Sequence, residues 1–264
     1  MPSWRSSILR RRVKKSTSNN KIYFLGVILL ILMWQLLSLL IGEETMVFPG
    51  PLATVKYALY LLGREYTYKC IAATMYKMIS GFMVSFLLGL FLGTLAGNFE
   101  TFEKLFNPTI ITLRAIPTAS LVYLFIVLAG FKTAPIFLVI LISFPIIYEG
   151  VMGGVRNIPK GIINATRLDG ASFLKENLRI RLPLALPYII VALASSFSLC
   201  FKIEIMAEVI TGSSNPGLGS AILGARSSDP TNMVPIFAYS LIAVVIMLIL
   251  DYFSSFIRNK MKTE

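Results

Sequence analysis

Six apolar stretches, near residues 22–42, 71–97, 108–130, 134–153, 184–207 and 234–257, dominate the chain, and each is about the length that crosses a bilayer as a helix. A spanning backbone must satisfy its own hydrogen bonds, so these runs predict an all-α membrane protein with a six-helix bundle. Proline and charge interrupt the third and fifth. The remaining sequence agrees: 56% of the residues are hydrophobic, 14% are charged, and the mean hydropathy is +0.74. A soluble domain with that balance would expose far too much apolar surface.

The charge is +12 with no histidine. So basic a chain suggests nucleic acid, but the cations sit at the start, in one central loop and at the end, as membrane topology requires. With the basic amino terminus in the cytoplasm, Arg5, Arg10, Arg11, Arg12, Lys14, Lys15 and Lys21 lie inside. Lys104, Arg156, Lys160, Arg167, Lys175, Arg179, Arg181, Arg258, Lys260 and Lys262 join them, while Lys56, Arg64, Lys69, Lys132 and Arg226 lie outside. Both termini are then cytoplasmic. The first span follows a signal-like basic segment, but it is long and ends in Gly42-Glu43-Glu44 without a small-x-small site, so an uncleaved signal-anchor is expected. Cys70 and Cys200 lack CxxC spacing, and no ligand cluster predicts a metal.

Four parts follow: a basic segment at 1–21, a first span and external linker at 22–70, a core at 71–257, and a tail at 258–264. Within the linker, Phe48-Pro49-Gly50-Pro51 precedes an amphipathic run through Val55, Leu59, Leu61 and Leu62, expected along the outer membrane surface. In the second span, Gly81, Ser85, Gly89, Gly93 and Gly97 recur every four residues and share one face, where a second backbone can approach. Glycine is also simply common in membrane helices. Lys77, Lys202, Glu204 and Glu208 lie toward the outer ends of their spans, where snorkelling or local pairing accounts for them; Pro183 to Lys202 is about 28 Å of helix. Arg114 beside Pro117 places a cation and a freed carbonyl inside the third span, which suits either a pathway or an interfacial contact.

The long loop 157–182 reads as a bent helical hairpin. Asn157 and Pro159 open one helix, Gly170 ends it in a left-handed turn, and Ser172 opens a second that stops before Pro183. It would expose Ile162, Ile163, Leu168, Phe173 and Leu174 among cations, which marks a docking surface.

From Ala165 to Gly170, then nine residues to Ile180, Leu182 and Pro183, the loop resembles the E-A-A, x3, G, x9, I-x-L-P signature of binding-protein-dependent ABC importer permeases. Asn164 stands at the signature glutamate and Thr166 at the second alanine. Arg114-Ala115-Ile116-Pro117, Ala207-Glu208-Val209-Ile210 and Gly217-Leu218-Gly219-Ser220-Ala221-Ile222 are similar to segments of the nitrate, sulfonate and taurine branch, and of relatives for pyrimidine vitamin precursors. The resemblance implies a type I importer bundle in a bacterial inner membrane. It assigns ATPase coupling to Asn164, Ala165, Thr166, Leu168, Asp169, Gly170, Ala171, Ile180, Leu182 and Pro183. Arg114, Pro117, Glu208, Gly217, Leu218 and Gly219 would then lie on the path or gate.

No G-x-x-x-x-G-K-[ST] segment occurs, so no catalytic residue or cofactor is expected in this chain; ATP and Mg would sit on a partner ATPase dimer. The other partners implied are a second permease copy, identical or related, an external solute-binding protein and membrane lipid, with no nucleic acid. A small polar solute of the nitrate or sulfonate kind is the expected cargo. The competing reading is a self-contained secondary transporter or channel, which should show inverted repeats that the sequence does not display.

Overall fold

The computed structural model describes residues 17–41, 47–212 and 215–263, without the side chains of 17–21, 23 and 261–263. The cations from Arg5 to Lys15 and the Glu43-Glu44 pair lie outside these residues. The elements are α1 (Thr17–Ile41), α2 (Pro51–Leu62), α3 (Glu65–Asn98), α4 (Glu100–Ala115), α5 (Thr118–Ala129), α6 (Ala134–Arg156), α7 (Lys160–Leu168), α8 (Phe173–Glu176), a π-helical turn (Asn177–Arg181), α9 (Leu182–Thr211), α10 (Leu218–Ser228) and α11 (Val234–Thr263). Among the described residues, five helical segments are long and apolar enough to span a membrane, and six if α4 and α5 count as one broken span.

The sixth crossing differs from the straight helix expected over 108–130. Helix starts earlier, at Glu100, and breaks at Ile116-Pro117, where the axes of α4 and α5 diverge by 100°. A residue before proline is pushed from helical to extended backbone, and Ile116 sits at φ −71°, ψ 129°. Both halves still pack on α6. Ile110 of α4 meets Phe144 and Tyr148, whereas Leu121 and Val122 of α5 join Leu138 and Val139.

Helix α6 is the centre of the bundle, packed most extensively against α3 and α9. The α3 side is the small-residue face. A Cβ on Gly81 would lie 2.9 Å from the Ile136 carbonyl oxygen, on Gly89 2.7 Å from Ile147, on Gly93 2.8 Å from the Tyr148 carbonyl oxygen, and on Gly97 2.7 Å from Val155. Ser85, at the second position of that row, donates to the Ile140 carbonyl at 2.8 Å and accepts from Ser143 at 2.7 Å. Small side chains therefore let the two axes approach, and the hydroxyls find partners inside the contact.

Helix α1 stands at the periphery with its apolar side chains exposed, as a lipid-facing helix should. Trp34 Nε1 donates to the Pro49 carbonyl at 3.0 Å and Ser38 to the Phe48 carbonyl at 2.9 Å, while Trp34 and Phe48 pack on Phe237 of α11. The amphipathic run expected in the linker is α2. Ala58 and Leu61 are buried in the core that includes Tyr239 and Ile242 of α11, and Val55, Leu59 and Leu62 remain exposed.

Candidate functional site

Two clusters of polar residues occupy opposite ends of the bundle. At the end away from the 157–182 loop, Lys77 and Thr74 of α3 meet Glu208 of α9. Lys77 Nζ lies 2.8 Å from Glu208 Oε1, and the Thr74 hydroxyl donates to Oε2 at 2.9 Å. The third donor comes from the Gly-Leu-Gly segment: the Gly219 N–H reaches Oε2 at 2.9 Å, and the neighbouring Leu218 N–H donates to Thr74 Oγ1 at 2.8 Å. The carboxylate thus sits at the N-terminus of α10, where exposed N–H groups favour negative charge.

The glycines are there because the carboxylate is close. A Cβ on Gly217 would lie 2.6 Å from Glu208 Cδ, and one on Gly219 would lie 2.6 Å from Glu208 Cβ. Glu208 is 0% exposed and Lys77 8%, so the pair is an interior one. Snorkelling therefore does not describe Lys77: its amine turns inward to Glu208 and approaches the Pro216 carbonyl at 3.4 Å. Lys202, by contrast, is exposed. Glu204, one turn before Glu208, is fully buried, and neither carboxyl oxygen has a hydrogen-bond partner among the described residues.

The opposite end is the elbow between α6 and α9. Asn157 caps the end of α6 and does not open α7, whose first helical residue is Lys160, after Pro159. Gly170 takes the left-handed conformation at φ 74°, and the Ala171 N–H returns to the Thr166 carbonyl at 3.3 Å, a Schellman closure. Ser172 precedes α8 without a side-chain cap. The second helix does not stop before Pro183: α8 runs through the wide turn Asn177–Arg181 directly into α9. Pro183 is accommodated beside the π-helical turn Asn177–Arg181, where the regular four-residue hydrogen-bond pattern is already interrupted.

Glu176 holds the elbow together. Its carboxylate, 2% exposed, accepts from Arg167 Nε at 2.9 Å and from Arg181 Nε at 2.7 Å. Asn98, the last residue of α3, donates to Asn177 at 2.7 Å, and Phe99 stacks on Phe173, so the elbow is fastened to α3 as well. Asn164, Ala165, Leu168, Asp169 and Gly170 face outward, with Leu168 88% exposed; Ala171, Ile180 and Leu182 are half-buried, and Pro183 is exposed. Thr166 is buried, and so is Ile163, which sequence alone had placed on the surface with Ile162, Leu168, Phe173 and Leu174.

A left-handed Gly170 ending a surface helix, with Ile180, Leu182 and Pro183 at the entry to the next span, is the arrangement on which a known family can be recognised. The family described as "Binding-protein-dependent transport system inner membrane component" matches residues 85–263. The chain belongs to this family. It is therefore a multi-pass inner-membrane permease component of a binding-protein-dependent transport system.

Relatives of the permease include the putative aliphatic sulfonates transport permease SsuC of Bacillus subtilis, 27% identical over 88% of this chain and 83% of that protein. SsuC of Escherichia coli is 30% identical over 78% of each chain, and the nitrate import permease NrtB of Leptolyngbya laminosa is 31% identical over 62% of this chain and 58% of its own. The fold matches that of an amino acid ABC transporter at a TM-score of 0.61 and 19% identity, covering 79% of this chain and 97% of the other. It also matches the inward-facing MetNI methionine ABC transporter at 0.58 and 19%, covering 74% and 94%.

Between the two clusters, Arg114 forms the last turn of α4 and Pro117 the start of α5, so neither lies inside a continuous third span of the permease. Arg114 Nη1 contacts the Glu149 carboxylate on α6. Thr74, Glu149 and Glu176 carry no sequence signal of their own. Each gains its role from a residue on another element or around a bend, and only the assembled bundle supplies that register.

Proposed function

We propose that the chain is the membrane subunit of an ATP-driven importer for a small oxyanion of the nitrate or sulfonate class. Two copies would form the path, a dimeric ATPase would dock on the elbows in the cytoplasm, and a solute-binding protein would deliver cargo at the opposite face. The observation that carries this reading is the elbow itself. A helix latched by two arginines presents Leu168 to water, with Leu174 and Leu178 also exposed, and burying each leucine contributes about 1.5–3 kcal/mol. A self-contained carrier has no use for such a surface, whereas a partner protein removes its cost. The printed names of the sulfonate and nitrate relatives support the cargo class.

Closure of the ATPase would draw two elbows together, and each elbow is bonded to the end of α3 and continuous with α9. Both helices meet again at the Lys77–Glu208 cluster, so movement of the elbow changes the far end of the path. ATP and the loaded binding protein would each select one of two arrangements. The test is co-purification of the encoded ATPase with tagged permease. Leu168→Glu changes a side chain that makes no internal packing and is expected to abolish recovery of the ATPase while leaving the detergent-solubilised permease monodisperse; full retention would overturn the reading.

A further inference from the structure

A cavity of about 460 Å³ opens between α6 and α9, bordered by Ile146, Glu149, Gly150, Gly153, Tyr188 and Ser195. Glu149 lies seven residues from the end of α6, about 10 Å of helix from the elbow, and Ser195 lies 13 residues beyond Leu182, about 20 Å. The cavity therefore begins near the elbow and reaches toward the middle of the span. Glu149 on its wall pairs with Arg114 of α4, and the pair is only half covered, with the guanidinium side chain 56% and the carboxylate side chain 41% exposed. An ion pair so open at membrane depth faces water, because hydrocarbon would strip both charges without replacement.

We infer that Arg114 is an oxyanion-binding point of the path and that Glu149 is its resident occupant, displaced by permeating solute. The inference rests on the reading of the chain as an oxyanion permease and adds the residue that recognises the charge. Glu149 takes one of the five guanidinium N–H donors, and among the described residues no other acceptor is bonded to Arg114. A nitrate or a sulfonate can present two of its oxygens to the free edge of the fork, a paired contact that a lysine could not match. Gly153 leaves the wall open, since a Cβ there would meet nothing within 4 Å. The tether of Glu149 keeps the fork filled between solutes, and the modest strength of an exposed pair lets a solute replace it.

The test uses the full chain alone, in phosphatidylcholine nanodiscs, with phenylglyoxal modification of arginines followed by mass spectrometry. Arg156 is the internal control: it is 54% exposed and pairs with Glu103, which, unlike Glu149, does not border this cavity. At constant ionic strength set with sodium chloride, methanesulfonate is expected to slow modification of Arg114 and not of Arg156. Glu149→Gln should lower the half-protecting methanesulfonate concentration by about two- to fivefold, the range expected on removing one exposed charge competitor. Equal slowing at both arginines shows ionic screening and overturns the inference, as does the absence of slowing at Arg114 in the unmodified protein. No ATPase or binding protein takes part, so failure here leaves the coupling reading standing, and failure of the Leu168→Glu test leaves this result interpretable.

Discussion

Lys77 and Glu208 are 131 residues apart and both buried, so each is tolerable only in the presence of the other. Lys77→Met strands the carboxylate and is expected to cost about 3–5 kcal/mol, whereas the double variant Lys77→Met, Glu208→Leu removes both charges and should recover much of that loss. Thermal unfolding in nanodiscs reads both. Glu204 gives the opposite expectation: its carboxyl oxygens are buried without partners among the described residues, which costs about 1–3 kcal/mol, so Glu204→Met should raise the melting temperature. At this scale the sequence was informative about Glu208 and the Gly-Leu-Gly segment, because their types and order carry the family resemblance. It named Lys77 but left snorkelling and local pairing both open, because the inward turn depends on the rotational register of α3 against α9, and it was silent on Thr74, which has no charge to draw notice.

Helix α3 shows how an element can be partly legible. The four-residue recurrence of small side chains marked a close face, but α6 could not be named as its neighbour because the recurrence says nothing of the opposing surface. In an exposed helix, alanine is favoured over glycine by about 1 kcal/mol, and Gly224, whose Cβ would meet nothing within 4 Å, should follow that rule. Gly89→Ala should reverse the sign, since its Cβ would fall 2.7 Å from Ile147, and overpacking costs about 1–3 kcal/mol. Comparing the two melting temperatures decides whether the face is a true contact. The elbow was read correctly at Gly170 and wrongly at Asn157, which ends α6, and at Pro183, because the π-helical turn carries the helix past the proline. Its latch escaped notice, since Glu176 falls among the nine unspecified residues of the signature. Glu176→Gln leaves Arg167 and Arg181 without their shared anion and should speed tryptic cleavage within 160–181 in the native permease.

For the whole molecule, apolar length located five crossings directly. The remaining one was displaced because hydropathy averages over the Ile116-Pro117 break, which only local backbone preference reveals. The orientation expected from the cations is open to direct measurement. Cys70 and Cys200 are fully buried, so an impermeant maleimide should ignore the native protein in intact spheroplasts. Arg226→Cys should label from outside, and Leu168→Cys only after the membrane is permeabilised; the reverse pattern would invert the topology.

The 34 residues of α3 form one proline-free rod about 51 Å long, longer than the hydrocarbon is thick. Asn98 and Lys77 stand at fixed separation on it, roughly 32 Å apart. A push at one end is therefore felt at the other as displacement of a single strut, with no relay of side-chain rearrangements between them. Softening that strut, for instance with a mid-helix Leu88→Pro, should disconnect nucleotide turnover from solute flux even where every contact at both ends survives.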